Sequence, residues 1–302
     1  MTNVLSVREA TWANIGTDVK QCKNNIDEIL VKSGLDYNVV EQPVFIGGGD
    51  TASDRFKAIV RESDGHVYNI TKKSYTICQN RDAFAFLEEM PEDLEIVKAG
   101  ESGSGMIYLI GVLPTLKVLG DDFTPHLIFQ TSHNADFALK TAIAPLRVVC
   151  QNQFNTAFGD NSNAITLKHT PGIAANVHEA GRILRGTSEY MQYFAKKADM
   201  LATNKVNVEK AIEILLPISK DATEASANRV EEAREVFRGL YNTSDNQNFR
   251  GSAWGLLNAV TDYSTHETGK KSAAENRFVA SIISPDFQKK AVALINSGMI
   301  AA

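Results

Sequence analysis

The chain has 302 residues, 43% hydrophobic and 22% charged, a globular composition long enough for one large domain or two modest ones. Its net charge of −5 excludes a uniformly basic nucleic-acid coat, but not a local basic groove on an acidic molecule. The cysteines, Cys22, Cys78 and Cys150, lie far apart without CxxC spacing. That argues against a disulfide framework and a zinc site, and points to buried free thiols in a reducing compartment.

In chain order, Asp18 to Lys32 reads as an amphipathic helix with Val19, Cys22, Ile26, Ile29 and Leu30 as its apolar stripe and Gly34 as its stop. Val39 to Ile46 is strand-like. Phe56 to Val60 and His66 to Ile70 flank Asp64-Gly65, a strong hairpin signal. Asn80 is placed to cap a helix that runs to Met90 and ends at Pro91. Leu94 to Lys98 pairs with Met106 to Leu113, and Leu116 to Leu119 with His126 to Thr131 around Asp121-Asp122. Leu139 to Ile143 and Ile165 to His169 are further strands, with a helix from Arg147 to Phe158 between them. Helical patterns then cover Ile173 to Leu201, Asn207 to Leu216, Ala222 to Tyr241, Ala253 to His266 and Ala273 to Ser281.

The expected fold is α+β: a mostly antiparallel sheet with packed helices over residues 1–170, then a helical region, 171–302, packed on it rather than independent. No stretch reaches the roughly 20 apolar residues that span a bilayer. The opening MTNVLSVREATWANIG lacks the apolar run of a signal peptide, so a cytoplasmic protein with no membrane partner is expected.

Chemistry-bearing motifs are few. Gly100 to Gly105 (GESGSG) precedes a strand rather than a helix, so it is a hairpin turn and not a phosphate loop. No HExxH or HxH element occurs. A metal site could arise only if His133, Asp262 and His266 met across the two halves, so no metal, cofactor or catalytic residue is assigned.

Two patterns survive. Basic residues cluster beside aromatics at Lys72-Lys73, Arg182 with Arg185, and Lys196-Lys197; cations track phosphates and aromatic faces stack on bases. Arg147, in the apolar and amide-rich APLRVVCQNQFN, needs a buried acid such as Asp136 or Asp262, or else an anion. The second pattern is Trp254, Asn258, Asp262 and His266, which fall on successive turns of one helix face. With His133 and Asn152 they form either a hydrogen-bonded seam between helix and sheet or a ligand site.

Four segments carry a resemblance: TWANIG at Thr11, QNRDAFAFL at Gln79, SHNADFALKTAIAPLRVVCQNQFNTAF at Ser132 and GSAWGLLNAVTDYSTHETG at Gly251. In these the chain resembles the phage/plasmid-like proteins classed as domain of unknown function 932. Members open with a Trp-His-Gly-Leu-Gly type motif; here Trp12 and Gly16 stand, but Ala13 holds the histidine position. The resemblance implies a mobile-element origin and a host cytoplasm, without an assigned activity. The layout is more loosely similar to Rad52-like single-strand annealing proteins. The leading expectation is a non-enzymatic, homo-oligomeric protein that binds single-stranded DNA in recombination or replication. The alternatives are a protein-interaction factor that binds a host protein in host takeover or anti-defence and, behind it, a metal-dependent hydrolase.

Overall fold

The computed structural model describes residues 15–47, 49–103, 105–147, 152–153, 164–184, 187–264 and 286–302. Within them the fold is α+β, with antiparallel sheets in the N-terminal half and helices in the C-terminal half.

The first element departs from the sequence reading. Thr17–Asp18 is a short strand (β1), Lys20–Cys22 makes one 3-10 turn, and helix α1 covers only Ile26–Ser33. Lys23 and Asn24 take φ of 47° and 63°, a left-handed step that interrupts a helix. Asn25 then caps α1, its side chain accepting from Glu28 N, and Gly34 ends it at φ 72°.

The Asp64-Gly65 hairpin forms. It joins β3 (Ala52–Arg61) to β4 (Val67–Lys72), and β2 (Val39–Phe45) pairs on the other side of β3. In this small sheet the register steps from Ile59 opposite Asn69 to Val60 opposite Val67, so Tyr68 is an extra residue in β4. Such a bulge re-aims a side chain, and Tyr68 is turned toward the body of the protein.

Helix α2 (Asn80–Phe84) continues as a 3-10 turn over Ala85–Glu89. Its cap is Gln79 rather than Asn80, whose side chain is engaged elsewhere. The main sheet follows: β5 (Glu95–Glu101), β6 (Met106–Val112), β7 (Leu116–Val118), β8 (Asp121–Ser132), β9 (Leu139–Arg147), β10 (Asn152–Gln153) and β11 (Ala164–Leu167). Its order is β1-β5-β6-β8-β9-β10, with β7 on β8 and β11 on β9. The turn between β7 and β8 is Leu119-Gly120, both at positive φ, while Asp121 and Asp122 lie inside β8. The helix expected from Arg147 is not seen where the chain is described. Pro145 to Arg147 complete β9 opposite Phe123 to Pro125, and Asn152–Gln153 pair back on Leu146 and Arg147. Ladder pairing with the long β8 overrides the local helical spacing.

Successive residues of β6 enter different cores. Ile107 and Leu109 join α1, α2 and the next helix, α3 (Ile173–Leu184), whereas Met106, Tyr108 and Ile110 pack with Ile15, Val97, Ile128 and Ala144. The helical half continues with α4 (Thr187–Thr203), α5 (Val208–Leu215), α6 (Glu224–Tyr241), α7 (Ala253–Asp262) and α8 (Asp286–Asn296). The long pattern from Ile173 is therefore two helices. The expected helix over Ala273 to Ser281 lies outside the described residues, and α8 was not foreseen. Every residue of α7 is buried. Phe123, near the start of β8, joins the halves by packing against Phe194 of α4 and Trp254 of α7.

Candidate functional site

At the other end of β8, three consecutive residues are fastened to three parts of the fold. Thr131 Oγ1 donates to His169 Nε2 at 3.3 Å, since His169 Nδ1 is committed as donor to Thr76 O at 3.2 Å. The Tyr75 hydroxyl, on the ring stacked against His169, donates to Ser132 O at 3.2 Å. His133 Nε2 lies 2.9 Å from Asn80 Oδ1.

Asn80 decides the state of His133. Its amide nitrogen donates to Leu35 O at 2.9 Å, which turns the oxygen to the imidazole and places the proton on Nε2. Nδ1 is then a bare acceptor, buried and without a partner among the described residues. The rings of Tyr68 and Tyr37 flank the imidazole at 5.4 and 6.2 Å. Burial, and then the charges of His169 and Arg61, push the His133 pKa down to about 4, so the ring is neutral at pH 7.

Arg61 of β3 closes this cluster. Its guanidinium carbon lies 4.3 Å from the Tyr37 ring centre and 5.2 Å from that of Tyr68. Nε and Nη2 both donate to the Tyr68 hydroxyl, and Nη2 also reaches Glu101 Oε2 at 3.1 Å. The Tyr68 hydroxyl donates to Tyr37, which donates to Glu101. Burial works against the Arg61 charge, but these partners outweigh it and hold its pKa above the usual value. Burial likewise raises both tyrosines. The network is almost closed on itself: every polar group named is committed except His133 Nδ1, which can accept one hydrogen bond or a proton. Its first consequence is mechanical. It ties the small sheet, through Arg61 and Tyr68, to β5, β8 and α2.

Of these residues the sequence reading singled out His133 alone. Asn80 carried a signal, because QNRDAFAFL and SHNADF are both family-like segments. Tyr37, Arg61 and Glu101 carried none, and Tyr68 counted only as an aromatic beside Lys72-Lys73, since the bulge that aims it inward is a matter of pairing register.

The basic candidates do not share one element. Lys72 and Lys73 are exposed at the end of β4, beside Arg55 of β3, and Lys73 N donates to Arg55 O at 3.0 Å. None of these three cations has an ion-pair partner among the described residues. Lys72 stands directly opposite Phe56, which is 40% exposed on the outer face of the small sheet; Asp54 is the one carboxylate on that stretch of β3. Arg182 of α3 pairs with Glu179 at 3.5 Å. Lys196 is exposed on α4, and Lys197 lies 5.5 Å from the Tyr193 ring at the rim of a groove of about 310 Å³ between α4 and α8. Arg147 is the last residue of β9, with its side chain outside the described part; Arg185 lies outside altogether. Among the described residues no contact joins the Lys72, Arg182 and Lys196 groups.

Trp254, Asn258 and Asp262 do share a face of α7, and all are buried. Trp254 packs among Phe123, Phe194 and Phe249. Asn258 Nδ2 donates to Asn246 Oδ1 at 3.4 Å, and Asn246 in turn donates to Tyr241 O and Gly255 O. This is a hydrogen-bonded seam between α7 and the segments before it. The strand of Asn152 lies against α7. His133 does not join them: it follows β8 ten residues beyond Phe123, about 30 Å along an extended strand. His266 lies outside the described residues, and among the described ones no group of three His, Cys, Asp or Glu is placed to hold a metal. Cys22 and Cys78 are buried free thiols, Cys78 pushed up to about 12 by burial and then by the charge of Asp82.

The family described as Domain of unknown function (DUF932) matches residues 67–282. The chain belongs to the DUF932 family. The DUF932 match includes Tyr68, Asn80, Glu101 and His133 of the cluster and all of α7, but begins after Tyr37 and Arg61. No curated protein and no solved structure matches the chain. Among the described residues no helix is long and apolar enough to cross a membrane.

Proposed function

We propose that this DUF932 protein is a non-enzymatic binding protein that takes single-stranded polynucleotide at the basic end of the small sheet. The observation that carries the reading is the exposed Phe56 in register with Lys72, with Arg55 and Lys73 beside it and, among the described residues, no ion pair on any of the three cations. Cations there meet phosphates, and the ring offers a face to an unpaired base. Three cations against the single Asp54 give a local positive field on a molecule whose net charge is −5. Strand protection or annealing during recombination or replication of a mobile element suits such a surface, because it needs a backbone track and exposed bases rather than a nucleophile.

The test is binding of a fluorescent single-stranded oligonucleotide over a range of salt. Affinity should fall with salt with a log–log slope of about −2, as three contacts to a single strand require. Lys72→Glu with Lys73→Glu should abolish binding, and Phe56→Ala should weaken it while leaving the slope in place. No binding at low salt, or binding indifferent to salt, refutes the reading.

A further inference from the structure

None of the four apolar cores contains a residue of β2, β3 or β4. Among the described residues, no strand of the small sheet pairs with the main sheet. Val39, Ile59 and Val60 are buried, yet they join none of these cores. What fastens the small sheet to the body is polar. At its entry, the Gln79 amide holds both Val39 N and Val39 O, at 3.0 and 2.8 Å. Just past its exit, the Tyr75 hydroxyl reaches Ser132 O and the Tyr75 ring lies on His169. Between these points Asn69 donates to Asn134 O, and Arg61 and Tyr68 close on Glu101, Tyr37 and His133. Segments held by few apolar contacts open at a lower free energy than the cores beside them.

We infer that β2, β3 and β4 form an arm that leaves the body as one unit, and that His133 is the proton-sensitive catch that holds it shut. In the closed form His133 Nε2 donates to Asn80, and Nδ1 has no partner among the described residues. A proton on Nδ1 would find no acceptor there. The groups around the imidazole are Arg61 of β3, Tyr68 of β4, Tyr37 before β2, Asn80 of α2, Glu101 of β5 and, across Thr131, His169. On the turn that follows His133, Asp136 is exposed and bound to Asn134. Glu101 is spent on Arg61 and Tyr37 and does not offset a charge on His133. Burial, and then the charges of His169 and Arg61, hold the closed-state pKa down to about 4. In the open arm the ring meets water and returns to about 6.5. Acid therefore favours the open arm as pH falls through 6.5, and the bias stops growing below about 4. The arm carries Phe56 and Lys72, so opening shifts that corner against the body, but it needs no ligand and does not rest on polynucleotide binding.

The decisive measurement is native-state hydrogen exchange of the full chain without nucleic acid, read by mass spectrometry over a range of low urea. At pH 7.5, β3 and β4 amides should be at least about 10-fold less protected than those of β6 and β8. Their protection should barely change with urea, because arm opening exposes little surface, whereas β6 and β8 should follow the full slope of unfolding. Corrected for intrinsic exchange, the arm's opening constant should rise about 10-fold between pH 7.5 and 5.5, the uptake of one proton by one imidazole. His133→Gln should abolish that rise. Glu101→Gln, which keeps His133, should raise arm opening about 10-fold at pH 7.5 by weakening the Arg61 tie. An arm that shares the protection and urea slope of β6 and β8 overturns the inference, and so does a wild-type opening constant that is flat from pH 7.5 to 5.5. A folded His133→Gln that keeps the rise, or a Glu101→Gln whose arm opens no more than the wild type's, overturns it as well. Should His133→Gln not fold, the wild-type pH series and Glu101→Gln decide.

Discussion

The imidazole of His133 donates to the side-chain oxygen of Asn80 at 2.9 Å, across 53 residues of sequence. The same amide donates to Leu35 O, so one side chain holds the loop before β2, the start of α2 and the end of β8 together. Asn80→Ala removes both bonds and leaves a buried imidazole N–H and a carbonyl without partners. Each orphan costs about 1–3 kcal/mol. The expected loss is about 3 kcal/mol, read as a lower urea midpoint at unchanged slope; an unchanged midpoint would show that the bonds contribute nothing net.

Acid should weaken the fold well before the carboxylates titrate. Burial lowers His126 and His133 to about 4, against about 6.5 in the unfolded chain. The unfolded state therefore binds these protons first. Stability is fully present above pH 6.5, falls between pH 6.5 and 4, and levels off below for these two groups. Each contributes on the order of 3 kcal/mol to that slope. Urea titrations at pH 7.5, 5.5 and 4.5 measure it, and His133→Gln should make the dependence shallower by about half.

Trp254→Ala empties the joint between the sheet and the helical half. The indole is fully buried among Phe123, Phe194 and Phe249, and truncation should cost about 3–5 kcal/mol. Thermal unfolding would show this as a large drop in the transition, whereas Trp254→Phe should recover most of the loss.

Gly255 reverses an ordinary rule. Replacing a glycine inside a helix by alanine usually stabilises by about 1 kcal/mol. A Cβ on Gly255 would stand 2.2 Å from Phe249 O, so here the exchange should destabilise α7. Gly239, on α6, has open space around it and should show the usual gain. A denaturation comparison of Gly255→Ala with Gly239→Ala checks the opposite signs.

Sequence alone determined the element types wherever local chemistry dominates. Asp64-Gly65 made its hairpin, Gly34 and Asn207 bounded their helices, and the order of strand and helix patterns gave α+β. It also showed that Trp254, Asn258 and Asp262 share one face. Tertiary structure decided the rest, because the deciding partners are far apart in the chain. Arg147 entered a strand because the long β8 offered a ladder. Asn80 left its cap position because His133 and Leu35 O competed for its amide. Tyr68 turned inward because pairing register placed one extra residue in β4. His133 and Trp254 lie near opposite ends of β8, a separation that no spacing rule contains, since a strand converts ten residues into about 30 Å only once its neighbours hold it extended.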